Sequence, residues 1–128
     1  MDIQYFHQKE METGLFETGS DKRFTAAVGI PDIKTLLDTI TSVGKTLTLS
    51  VGVAYVHPND QYQKSIGREL AKDRLAPVEF KMRYAVVSPG LETGDYVYDL
   101  TLFSDNLSIE IRYKEHYFRP ILRSVSIL

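Results

Sequence analysis

The sequence predicts an α+β fold, an antiparallel β-sheet with one or two helices packed on one face. Three observations predict it. Two segments carry apolar residues at helical spacing, several others alternate with a period of two, and the last four candidate strands follow one another through short connections, which joins neighbours antiparallel. At 128 residues the chain suits a single domain spanning 1–128, long enough to bury roughly two-thirds of the surface its unfolded form exposes.

In order along the chain, Met1 to Arg23 is polar, acidic and weakly periodic. Met11, Leu15 and Phe16 are its candidate anchors, and Thr18-Gly19-Ser20-Asp21 reads as a turn. Residues 1–23 are therefore expected to form a weakly ordered N-terminal segment. Phe24 to Ile30 reads as a short strand. Pro31 suits the first position of a helix, where its missing N–H is not needed; Ile33, Leu36, Leu37 and Ile40 recur at helical spacing, and Gly44 is a plausible C-cap. Lys45 to Val56 alternates, with Leu47, Leu49, Val51, Val53 and Tyr55 on one face and the small residues Thr48, Ser50, Gly52 and Ala54 on the other. A strand with one thin side calls for a close neighbour on that side.

The loop His57-Pro58-Asn59-Asp60 leads into a helix from about Asp60 to Leu75. Asn59 or Asp60 can cap it by accepting a first-turn N–H, worth ~1 kcal/mol, and Ala76-Pro77 ends it. Val78 to Val87 alternates again, with Val78, Phe80, Met82, Tyr84 and Val86 inward. Ser88 to Gly94 is a loop. Tyr96 to Phe103 and Leu107 to Tyr113 make a hairpin across Ser104-Asp105-Asn106; Leu107, Ile109, Ile111 and Tyr113 face in. The stretch after Pro120, Leu122 to Leu128, alternates as a last strand.

Composition narrows the function. Apolar residues make up 43% and charged residues 25%, and the net charge is -2. Bulk charge thus argues against general adhesion to nucleic acid or membrane, and any anion site must be a local cluster of cations. There is no cysteine, which excludes disulfides, Cys-based zinc sites and a Cys nucleophile and fits a cytoplasmic location. No basic n-region precedes an apolar run at the N-terminus, and no apolar stretch approaches the ~20 residues a membrane span needs. His7, His57 and His116 have no metal-ligand spacing, so no metal is expected. No nucleophile elbow, P-loop or dinucleotide fingerprint is present, and no carboxylate sits in an acid–base setting, so neither catalytic residues nor a cofactor are assigned.

The helix from Asp60 to Leu75 carries the clearest local signal. With Ile66 at the centre of the expected buried stripe, Tyr62 and Leu70 flank it at i±4. At ~100° per residue, Gly67, Ala71, Lys64, Arg68 and Arg74 fall together on another flank. One reading is an anion-binding or subunit-binding face: His57 and Asn59 stand at the helix N-terminus with its free N–H groups, and arginines suit bidentate phosphate contacts. The other is that Gly67 and Ala71 pack on the thin face of Ser50, Gly52 and Ala54, leaving Lys64 and Arg68 in water. Eight tyrosines and six phenylalanines are a heavy aromatic load. Tyr96, Asn106 and Arg123 are weaker candidates for base and ribose contacts, since aromatic faces stack purines and Arg stacks or holds phosphate; the same mixture also suits a wet subunit interface.

The run His57-Pro58-Asn59-Asp60-Gln61-Tyr62-Gln63-Lys64-x-x-Gly67-Arg68-x-x-Ala71-x-x-Arg74-Leu75 resembles a pattern found in small proteins of bacteriophages and prophages, and within these the first family of Thoeris anti-defence proteins. The likeness covers roughly a fifth of the chain. It implies a sponge in the host cytoplasm that binds a cyclic ADP-ribose isomer and holds it without cleavage, assembled as a dimer or higher homo-oligomer. The alternative is a small phage protein that inhibits a host protein by direct contact. Binding of nucleic acid is not expected.

Overall fold

The computed structural model describes residues 2–10, 22–41, 46–56, 64–89, 96–114 and 120–128. Seven strands and two helices follow in the order β1 (Asp2–Glu10), β2 (Lys22–Ile30), α1 (Ile33–Thr41), β3 (Thr46–Val56), α2 (Lys64–Asp73), β4 (Ala76–Pro89), β5 (Tyr96–Phe103), β6 (Leu107–Lys114) and β7 (Ile121–Ile127). All seven strands lie in one sheet in sequence order, each antiparallel to the next. The antiparallel sheet with two helices is as the sequence predicts, but the sheet dominates and curls into a nearly closed barrel. The segment expected to be weakly ordered contributes β1, whose nine residues pair in register with β2 from Asp2↔Ile30 to Glu10↔Lys22.

Side-chain alternation explains the curl. One face of the sheet turns inward and carries Phe24, Ala26, Val28 and Ile30 from β2, Leu47, Leu49 and Val51 from β3, Phe80 and Met82 from β4, Leu100 and Leu102 from β5, Ile109, Ile111 and Tyr113 from β6, and Val125 from β7. These residues are buried to within a few per cent. Removing such branched and aromatic side chains from water stabilises by about 1.5–3 kcal/mol each. Tyr55, placed by alternation on the inner face of β3, is instead 53% exposed and tilts against Phe24 with ring centroids 6.3 Å apart.

The helices stand on opposite sides of the sheet, not on one. α1 sends Leu36 into the interior cluster. Its N-cap is Asp32, whose Oδ1 accepts the Thr35 N–H at 2.8 Å; Pro31 lies one residue before the cap and its carbonyl accepts the buried Tyr113 hydroxyl at 3.1 Å. Gly44 lies outside the described residues. α2 lies on the outer face, where Ala71 meets Ala27 of β2 and Ala54 of β3, with Ile3 and Tyr5 of β1 packed alongside. Among the described residues no helix is long and apolar enough to cross a membrane.

The docking of α2 reverses the expected orientation of that helix. Gly67 and Ala71 are its buried residues, whereas Ile66 and Leu70, expected to hold it to the sheet, are 50% and 41% exposed. Tyr62, the third member of that stripe, lies outside the described residues. Depth of approach is the reason. A Cβ on Gly52 would stand 2.9 Å from the backbone of Arg74 and Leu75 and closer still to the carbonyl oxygen of Ala71; one on Gly67 would overlap Thr25 Oγ1. Helix backbone therefore rests directly on strand backbone, and only residues with little or no side chain fit between.

The side chain of Gln4 bridges the two edge strands. With seven strands in sequence order, β1 and β7 run in the same direction, so closing the barrel requires a parallel seam. Gln4 of β1 provides it. Its Nε2 donates to Pro120 O at 2.6 Å and its Oε1 accepts the Leu122 N–H at 3.1 Å. One carboxamide thus brackets Ile121 as a backbone peptide of a parallel partner strand would. Nε2 also lies 3.2 Å from Asp2 Oδ2, which fixes the orientation of the amide.

Candidate functional site

The outer face of the sheet beside this seam forms a cleft of about 520 Å3. Its floor is the outward row of β1, Ile3, Tyr5 and His7; Arg68 of α2 forms one wall, and Pro120 with Ile121 forms the other. The volume lies in the ~300–1,000 Å3 range of small-ligand sites, and the lining combines apolar shelves with a few polar groups. Alternation along β1 puts Ile3, Tyr5 and His7 on one face. The backbone contact of Gly67 with Thr25 brings α2 low enough for its basic flank to overlook them.

His7 is the residue through which sheet and helix communicate. Its Nδ1 lies 2.9 Å from Oγ1 of the fully buried Thr25. Burial lowers its affinity for a proton, and the positive charges of Lys64 and Arg68 lower it further. Positive charge from Lys64 and Arg68 thus acts at His7 even with the imidazole neutral. An anion placed there would meet Arg68.

The structure brings together only some of the residues read from sequence. Arg68 joins His7 in the lining of the cleft, and Lys64 acts on His7 through its charge. Arg74 does not converge with them: it lies past the C-terminal end of α2, where its Nη1 donates to Val53 O of β3 at 3.1 Å and ties the helix end to the sheet. Tyr96 opens β5 opposite Pro89 and is 47% exposed. Asn106 stands at the other end of that strand, in the turn before β6, where its carbonyl accepts the Leu128 N–H at 2.9 Å. Ser104 Oγ accepts the N–H groups of Asn106 and Leu107 and shapes the turn. Arg123 occupies a bulge, since Glu110 pairs with Ser124 and Ile111 with Leu122. Its guanidinium turns toward β5, 3.8 Å from Asp99, which Arg112 already holds at 2.8 and 3.1 Å. His57 and Asn59 lie outside the described residues.

A second cavity of about 460 Å3 lies where β4 runs past the β5–β6 turn, lined by Glu79, Lys81, Phe103 and Asn106 among others. Glu79 and Asp105 outnumber Lys81 in its lining, which disfavours an anion, and the cleft at the seam is the stronger site. His7 is the residue that sequence reasoning missed. The signal was the alternation Ile3, Tyr5, His7, obscured because Gln4 and Phe6 make the opposite face just as mixed in polarity.

Among the described residues no group of three or more histidines and carboxylates is placed to hold a metal ion. In comparisons with protein-family models, with curated proteins and with solved structures, nothing matches this chain.

Proposed function

We propose that this protein binds a small phosphate-bearing ligand of the nucleotide class in the cleft between β1, α2 and the start of β7, and holds it without transforming it. The observation that supports this most is the convergence of Arg68 and His7 on a cleft floored by Tyr5 and Ile3, with the charge of Lys64 also acting on His7. Arg68 suits a phosphate oxygen pair, and the aromatic and aliphatic floor suits a base or ribose face. In its finer form the ligand is a cyclic ADP-ribose isomer, and the activity is sequestration of an immune signal in the cytoplasm by a phage protein, as the resemblance of the run from His57 to Leu75 implies. Sequestration needs affinity rather than differential binding of a transition state.

The test is retention. The protein is incubated with cyclic ADP-ribose isomers, stripped of unbound ligand, denatured, and the released material weighed by mass spectrometry. Intact nucleotide from the wild type, reduced about 10- to 100-fold in affinity by Arg68→Ala as expected for one charged hydrogen bond, supports the reading. Altered nucleotide would make the protein an enzyme, and no retained nucleotide would remove the reading.

One observation favours a second reading. Ile66 and Leu70 form an exposed apolar pair on the solvent side of α2, and such a pair suits contact with a host protein or with a second copy in a homo-oligomer. Ile66→Ser with Leu70→Ser would then abolish stoichiometric co-purification of the host protein, or lower the mass in solution, and leave nucleotide retention unchanged.

A further inference from the structure

We infer that His7 is a ligand-contacting residue of the cleft and that its imidazole gains a proton from solvent when an anion docks beside Arg68, so that occupancy of the site is linked to pH. The inference rests on the ligand reading above and adds its regulation.

The geometry carries it. His7 forms part of the cleft floor, and Arg68 forms the wall beside it. Among the described residues, four elements supply groups around the imidazole. α2 supplies the cations Lys64 and Arg68; β2 supplies the hydroxyl of Thr25, with Arg23 one step along the same face; β1 supplies Tyr5 and Ile3 on the same row; and the start of β7 supplies the uncharged Pro120 and Ile121. The charges whose effect on His7 is resolved, those of Lys64 and Arg68, are positive. In the empty cleft they oppose a third positive charge on the imidazole, as does burial. A docked anion reverses the sign of the local field, and the same position then favours imidazolium.

Thr25 makes the change cheap. A hydroxyl donates as readily as it accepts. Thr25 Oγ1 can donate to Nδ1 of the neutral ring or accept an Nδ1–H from the charged one, so the contact at 2.9 Å survives both states. A backbone carbonyl there would have served only a ring protonated on Nδ1, and a backbone N–H only an unprotonated nitrogen. The proton taken up comes from bulk water, and no covalent bond in the ligand is broken.

The experiment uses ADP-ribose, whose pyrophosphate diester keeps its charge over the working range; a phosphate monoester titrates near pH 6 and would confuse the readout. Calorimetry in two buffers of different ionisation enthalpy counts protons taken up on binding, and NMR follows the His7 imidazole with and without ligand. We expect proton uptake approaching one per site near neutral pH, and affinity rising by up to about tenfold per pH unit as pH falls from about 8 toward 6. His7→Asn keeps a polar group near the Nδ1 position but cannot charge, and it should bind with a flat pH profile. Binding without proton uptake, or an unchanged pH slope in His7→Asn, would overturn the inference and leave the ligand reading intact. Failure of ADP-ribose to bind at any pH, together with no retention of cyclic ADP-ribose isomers, would remove both.

Discussion

Replacing Gly52 by Ala isolates the contact that sets the depth of α2. The new Cβ would stand 2.9 Å from the backbone of Arg74 and Leu75 and closer to the Ala71 carbonyl. Ordinary van der Waals contact begins at 3.4 Å, so the last turn of the helix must lift by at least the shortfall of ~0.5 Å, and by more at Ala71. None of the obstructing atoms belongs to a flexible side chain. Overpacking of this kind costs about 1–3 kcal/mol and sometimes more. The lift also stretches the Arg74–Val53 hydrogen bond from 3.1 Å, a further loss of roughly 0.5–1.5 kcal/mol at an exposed site. Against this, Ala gains about 0.5–1 kcal/mol over Gly in a strand interior. The expected net is a destabilisation of about 2–3 kcal/mol, a large share of the ~5–15 kcal/mol available to a domain. Urea unfolding followed by circular dichroism should show the midpoint falling by about 1–2 M at unchanged slope. A midpoint within about 0.2 M of the wild type would refute the claim that strand and helix backbones touch here.

Three other outcomes are expected. Gln4→Ala removes two hydrogen bonds across the seam and should cost about 1–3 kcal/mol by denaturant titration; Gln4→Glu should be worse at neutral pH, because a carboxylate would face the Pro120 carbonyl and Asp2, and should recover as the pH falls. Tyr113→Phe leaves the Pro31 carbonyl without its hydroxyl partner beside a buried ring and should cost about 1–3 kcal/mol by the same titration. Two groups make stability depend on pH in the same direction. The Arg112 hydrogen bond holds the Asp99 carboxyl below its ordinary value, so its contribution is present above about pH 4 and is lost as pH falls through its folded value. His7 is held below its ordinary value by burial and by Lys64 and Arg68, so its contribution is full above about pH 6.5 and is lost below it. Thermal unfolding of His7→Asn should lose the second step and keep the first.

The strands were legible wherever one face is apolar and the other is not. Leu47, Leu49 and Val51 against Ser50, Gly52 and Ala54 predicted both the buried side of β3 and the need for a close neighbour on its thin side. The orientation of α2 was not legible, because the usual measure of a buried stripe counts large apolar residues and so selects Ile66 and Leu70. Contact distance rather than hydrophobicity decided the matter: only Gly67 and Ala71 are small enough to meet the backbone of Gly52 and the side chain of Thr25. β1 escaped notice because Gln4 and Phe6 mix polarity on one face as Tyr5 and His7 do on the other. Of the residues at the candidate cleft, Arg68 was singled out in the sequence by its place beside a small-residue face. His7 and Ile121 required the seam, which joins positions more than a hundred residues apart, and no local pattern encodes it. Arg123 was misplaced by one unpaired residue in β7, which turned it toward Asp99.

The seam also says something about the order in which the molecule assembles. Each strand pairs with its neighbour in sequence, so the six ladders can form one after another, each closing a connection of fewer than 20 residues, with modest chain entropy lost at each step. The carboxamide of Gln4 is different: its partners lie 116 and 118 residues away, and they can meet it only when the whole sheet has curled. Its closure belongs on the native side of the folding barrier. Loss of the Gln4 hydrogen bonds should therefore leave the folding rate nearly unchanged and speed unfolding, making one glutamine a latch on the lifetime of the folded state and, where ligand bridges β1 and β7, on the lifetime of the complex.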